Sequence, residues 1–138
     1  MAKKILILAA VILLIVTACN PVSSVEKVAE SKDQVCKDLV LFKTSVNKLQ
    51  SESYADRNAL EAQFSVVRQN FTNLVQSVAN LASVKTDAFQ QAANDLIAAY
   101  QNIPQESSVQ DTLAAIKDPI TQVVKVSDQL STALQCKP

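Results

Sequence analysis

Chemistry in this chain of 138 residues has to come from three cysteines, thirteen acidic and thirteen basic side chains and a supply of hydroxyls, because histidine, tryptophan and glycine are absent. Without histidine, the usual metal ligand, general base and haem ligand are missing together. Without glycine there is no P-loop, no dinucleotide fingerprint and no glycine-dependent left-handed turn. Asp and Glu are scattered, with no Glu-x-x-His and no acidic cluster on an apolar face, so paired-carboxylate acid–base catalysis has nowhere to sit. Serines and lysines are plentiful, but no motif sets one beside another in a strained turn. The chain is expected to be non-catalytic, with no metal and no cofactor. What remains is thiol chemistry at Cys19, Cys36 and Cys136, meaning acylation or disulfide formation.

Cys19 stands at the end of a three-part leader. Lys3 and Lys4 form a short positive region, residues 5–16 are an uncharged apolar run, and small residues precede the cysteine. As a helix the run spans ~18 Å, well short of the ~30 Å hydrocarbon core, which disfavours a permanent transmembrane segment. The stretch Val16-Thr17-Ala18-Cys19 resembles the lipobox of bacterial lipoproteins. That resemblance implies cleavage between Ala18 and Cys19, a diacylglycerol on the Cys19 sulfur and often a further acyl chain, of the palmitate kind, on its amine. It places the protein on the extracytoplasmic side of a bacterial cell membrane, inner or outer. Each buried CH₂ contributes ~0.8 kcal/mol, so two or three long chains hold such a protein in place. The alternative is an ordinary signal peptide cut after Ala18, with Cys19 left as a free thiol or a disulfide partner.

Loss of residues 1–18 leaves 120, enough for one domain with one core. Residues 19–24 then form the lipidated cysteine and a tether, and residues 25–138 a helical-bundle domain. The mature chain has 11 Lys plus Arg against 13 Asp plus Glu, because Lys3 and Lys4 leave with the signal. With no basic block, neither nucleic acid nor a polybasic hold on anionic lipid is expected.

The elements that must carry these cysteines read as helices throughout, since no hairpin dipeptide or sustained period-two alternation occurs. Residues 20–24, with Pro21, reach at most about 17 Å, which predicts a domain close to the bilayer. The first helix, capped by Ser23 or Ser24, has apolar positions Val25, Val28, Val35, Leu39, Phe42, Val46 and Leu49, with Lys32 interrupting. Residues 51–56 form a hydroxyl and carboxylate cluster suited to capping. The second helix runs Leu60, Phe64, Val67, Phe71, Leu74, Val78, Leu81, and its phase slips near residues 83–87. A third would carry Phe89, Ala92, Leu96, Ala99, Tyr100 and Ile103, with Pro104 ending it. The fourth, capped by Ser107 or Ser108, has a seam of Val109, Leu113, Ile116, Ile120, Val123, Ser127, Leu130 and Leu134. Within that seam Asp118-Pro119 is either a kink or a restart. Lys32 and Ser127 read as snorkelling or helix-end residues.

These stripes predict an all-α fold, an antiparallel up-down bundle of about four helices rather than an oligomeric coiled coil. With Cys19 lipidated outside the cytoplasm, Cys36 and Cys136 have one intramolecular pairing, which would join the first helix to the end of the last. In an up-down bundle that needs an even number of helices. An intermolecular disulfide is the alternative. The spans are unequal, since Cys36 to the first break is ~22 Å and Ser108 to Cys136 is ~42 Å. A kink or restart at Pro119, or a second helix ending before Ser83, would relieve this. The phenylalanines read as core, and the Asn70-Phe71-Thr72 acceptor pattern lies inside a helix with its middle residue in the core, against glycosylation. Two functions stay open: a structural or adaptor lipoprotein holding another envelope protein, or a carrier of a small apolar ligand in the bundle core. The whole layout resembles small uncharacterised secreted bacterial proteins of no defined family.

Overall fold

A computed structural model describes residues 24–81 and 84–137, with side chains from residue 30 onward. Four helices follow one another: α1 Ser24–Ser51, α2 Arg57–Ala79, α3 Asp87–Gln101 and α4 Val109–Ala133. They form the expected all-α four-helix bundle, closed by a disulfide between Cys36 and Cys136 with Cα atoms 5.4 Å apart. The bridge is within the chain, so the intermolecular alternative falls.

The periodic stripes become the core. Val35, Leu39, Phe42, Val46 and Leu49 from α1 meet Leu60, Phe64, Val67 and Leu74 from α2, Phe89 and Leu96 from α3, and Ile116, Ile120 and Val123 from α4. Phe42 touches Phe89 edge-on at 5.4 Å and Phe71 at 6.1 Å, an aromatic cluster that links α1, α2 and α3. Phe71 itself is only partly buried, at the margin of that cluster. α1 packs most closely against α2, and α3 against α4, so the bundle is two helical hairpins laid together.

Caps explain the boundaries. The Asp56 carboxylate accepts from the Ala59 amide, and the Ser108 hydroxyl accepts from the Asp111 amide, which stops each preceding loop and starts the helix. Thr86 occupies the N-cap position of α3, but its hydroxyl accepts from Gln90 Nε2 instead of capping. The separation of α2 from α3 is real, and α2 ends at Ala79, ahead of Ser83. α1 begins at Ser24, so Ser24 is not a cap; Ser23 lies outside the described residues.

Pro119 sits inside a continuous α4, which overturns the restart. The unequal spans are accommodated by offset ends. Gln50, near the end of α1, shares a surface hollow of about 280 Å³ with Leu113, Ala114, Lys117 and Ile120, so α4 begins beyond α1 and runs back along it. At the other end, α1 starts ~16 Å before Val35, its first buried position among the described side chains. Residues 24–34 of α1 thus form a helical lead of ~16 Å ahead of that position.

Ser127 differs from its sequence reading. It is fully buried in mid-helix, neither snorkelling nor terminal, and its hydroxyl donates to the Val123 carbonyl 2.7 Å away. Thr112 and Ser45, also buried, solve the same problem with the Ser108 and Phe42 carbonyls. Lys32 is half-buried on α1.

Candidate functional site

Of the residues singled out in the sequence, Ala18 and Cys19 lie outside the described residues, whereas Cys36 and Cys136 are brought together. What aims Cys136 is the end of α4. Gln135 takes φ 53°, its amide donates to Thr132 and the Cys136 amide donates to Ser131. This paired arrangement is a Schellman turn, built around glutamine in a chain without glycine. The turn reverses the backbone and delivers the thiol to the side of α1.

Besides the shared core, three covalent or polar ties join hairpin to hairpin among the described residues. The disulfide and a Lys43–Asp128 ion pair join α1 to α4. On the opposite side, Arg57 Nη1 donates to the carbonyls of Pro104 (3.2 Å) and Ser107 (3.4 Å) and to Thr112 Oγ1 (3.1 Å), so the start of α2 clamps the α3–α4 connection. Arg57 is the first residue of α2, where a positive charge opposes the helix dipole. That unfavourable placement is a signal in the sequence, and the clamp is its explanation.

Two surfaces could do something beyond holding the fold. The first is the outer α1–α2 seam. Val40, Leu41 and Val66 are 54, 55 and 46% exposed, the large apolar side chains left in solvent among those described. Asn70 Nδ2 donates to the Leu41 carbonyl and Gln63 Nε2 to the Ser45 carbonyl, so α1 around 41–45 is level with α2 around 63–70. Leu41 and Val66 thus flank the same seam from its two helices.

The second is a hollow of about 630 Å³ between α2 and the end of α3. Arg57, Glu61 and Arg68 succeed one another along its α2 wall, with Asn58 and Ser65 beside them, and Gln101 and Gln105 close it from α3 and the loop beyond. Phe64 and Tyr100 form the floor, their rings stacked at 3.7 Å, with the Arg57 guanidinium 5.6 Å from the Tyr100 ring centre. Tyr100 is 8% exposed, and its buried hydroxyl finds no acceptor for its proton among the described residues. Burial raises its pKa above the ordinary phenol range; the adjacent Arg57 opposes this and Glu61 adds to it.

Among the described residues, no group of three or more His, Cys, Asp or Glu is placed to hold a metal ion, and no helix is long and apolar enough to cross a membrane. No family model matches the chain, and no characterised protein or solved structure is significantly similar to it.

Proposed function

We propose that the chain is a lipid-anchored envelope protein whose non-catalytic bundle captures another protein of the cell envelope on its outer α1–α2 face. The observation that carries this reading is the pair Leu41 and Val66, each about half exposed, on neighbouring helices at the same level. Apolar side chains left together in solvent on an otherwise filled bundle suit a small protein-binding patch. The anchor rests on the Val16-Thr17-Ala18-Cys19 stretch. Tether and α1 spacer together allow roughly 30 Å between membrane and bundle, which suits a partner of modest height on the same membrane.

The alternative, an apolar ligand inside the core, is less well supported. The interior is filled by Phe42, Leu39, Leu60, Leu74, Leu96 and Ile116, each almost wholly buried, and the larger hollow is polar and open to the surface. The test is a crosslinking pull-down from native membranes with the wild-type chain and the Leu41→Ser/Val66→Ser variant. The variant should keep its helical circular dichroism and lose the crosslinked species. Equal capture by both would remove the α1–α2 face from the account; co-purification of an apolar small molecule without a protein would favour the carrier.

A further inference from the structure

The α2–α3 hollow plays no part in capture on the α1–α2 face, and its side chains have a consistent chemistry of their own. Three carboxamides, Asn58, Gln101 and Gln105, with Ser65, each offer both a donor and an acceptor. Hydroxyl groups of a sugar both donate and accept, and are matched by such side chains. The lining is more polar than apolar: Ala62 and Ile103 add some apolar surface, but Phe64 is 2% exposed and its ring face is occupied by Tyr100. A wholly apolar ligand would leave most of this wall's donors and acceptors unmatched.

Charge narrows the class further. The wall carries two guanidiniums against one carboxylate, a surplus of one positive charge. Only Nη1 of Arg57 is engaged in the loop clamp; the rest of the guanidinium stands beside Tyr100, and its Nε and Nη2 edge is suited to gripping a carboxylate side-on. Among the described residues, the Arg68 side chain has no ion-pair or hydrogen-bond partner. Beneath Arg57, the Tyr100 hydroxyl is a buried donor with no acceptor among the described residues, a condition that ordinarily costs stability. A carboxylate drawn in by Arg57 is the acceptor it lacks. The hollow is also long, since Arg57 and Arg68 are separated by ~16 Å of helix rise.

From these features we propose that the hollow between α2 and α3 binds an acidic sugar, a hydroxylated ring bearing one carboxylate, with Arg57 and Tyr100 holding the carboxylate and the amide-lined wall holding the hydroxyls. The sugar is either free or a unit of an acidic glycan, and the two sources differ in how far they reach toward Arg68.

The experiment titrates the ¹⁵N-labelled, disulfide-intact full-length protein in detergent with D-glucuronate, with a glucuronate-containing tetrasaccharide, and with glucose and acetate as controls. Saturable shifts at Ser65, Gln101 and Gln105 are expected from the acidic sugars and not from the controls. Tighter binding of the tetrasaccharide, weakened about tenfold by Arg68→Gln, assigns a glycan; equal binding of both, indifferent to Arg68→Gln, assigns the free sugar acid. Arg68 is exposed and has no partner among the described residues, so this variant should fold normally. Tyr100→Phe supplies the second readout: removing the orphan hydroxyl should raise the melting temperature of the unliganded protein while weakening glucuronate binding. Absence of saturable shifts up to roughly 10 mM, equal shifts from glucose, or unchanged binding in Tyr100→Phe overturns the proposal. Leu41→Ser/Val66→Ser should bind glucuronate as wild type does, so failure of partner capture and failure of sugar binding are separable.

Discussion

Reduction of the Cys36–Cys136 bridge should remove a large share of the stability of this domain. The two cysteines are 100 positions apart, so the bond closes nearly the whole described chain into one loop. Loop-closure entropy for about a hundred residues gives roughly 4.7 kcal/mol at 25 °C. Domains of this size are stable by about 5–15 kcal/mol in total, and unfolding entropy near 2.1 cal/mol/K per residue turns 4.7 kcal/mol into a fall in melting temperature of about 20 °C. The bond also sits where it is needed, across the α1–α4 seam between the two hairpins. The assay is thermal denaturation by circular dichroism of the oxidised protein, the reduced and alkylated protein, and Cys36→Ser/Cys136→Ser. Agreement between the last two at a much lower midpoint is expected. A fall of less than about 5 °C in both would show that the hairpins dock without the clamp and that the loop-entropy reasoning fails here.

Other perturbations have defined outcomes. Phe42→Ala should cost about 3–5 kcal/mol in denaturant unfolding, and Phe71→Ala less, because Phe42 is buried at the centre of the aromatic cluster and Phe71 at its margin. Gln135→Gly should stabilise by roughly 1 kcal/mol by relieving the left-handed residue of the Schellman turn; a loss of stability would refute that account of the turn. Burial raises Tyr100 and, with help from Glu52, Tyr54 above the ordinary phenol pKa. Unfolded tyrosines release protons near pH 10, so this contribution to stability is fully present below about pH 10 and is lost as pH rises through the folded-state values. Denaturant midpoints followed together with phenolate absorbance check it, and a midpoint that increases above pH 10 would contradict it. Mass spectrometry of membrane-extracted protein should find an N-terminal Cys19 carrying acyl chains; a freely soluble chain starting elsewhere would remove the anchor and the spacer argument together.

The helices were legible because their apolar positions recur every three or four residues with few exceptions. Leu60, Phe64, Val67, Leu74 and Val78 need no tertiary information to be placed on one face. The breaks were legible from Asp56 and Ser108, whose side chains cap locally. Ser127, Thr112 and Ser45 were opaque because a hydroxyl that returns its proton to a carbonyl of its own helix can occupy a core position, and composition does not reveal that bond. The length mismatch around Pro119 had the same origin: the sequence shows where helices end, whereas the offset between them is set by packing. The α2–α3 hollow was hidden because its walls come from α2, from the last turn of α3 and from the loop after it. Arg57 was the single local clue, a cation at the wrong end of a helix dipole.

The proposal of partner capture is tested most directly by photo-crosslinking from chosen positions in native membranes, with the crosslinker placed in turn at 41, at 66 and, as a control, at the exposed Gln129 on α4. One discrete adduct of the same mass from positions 41 and 66, and none from 129, is the predicted result. Adducts of equal yield from all three positions, or none from 41 and 66, would contradict it.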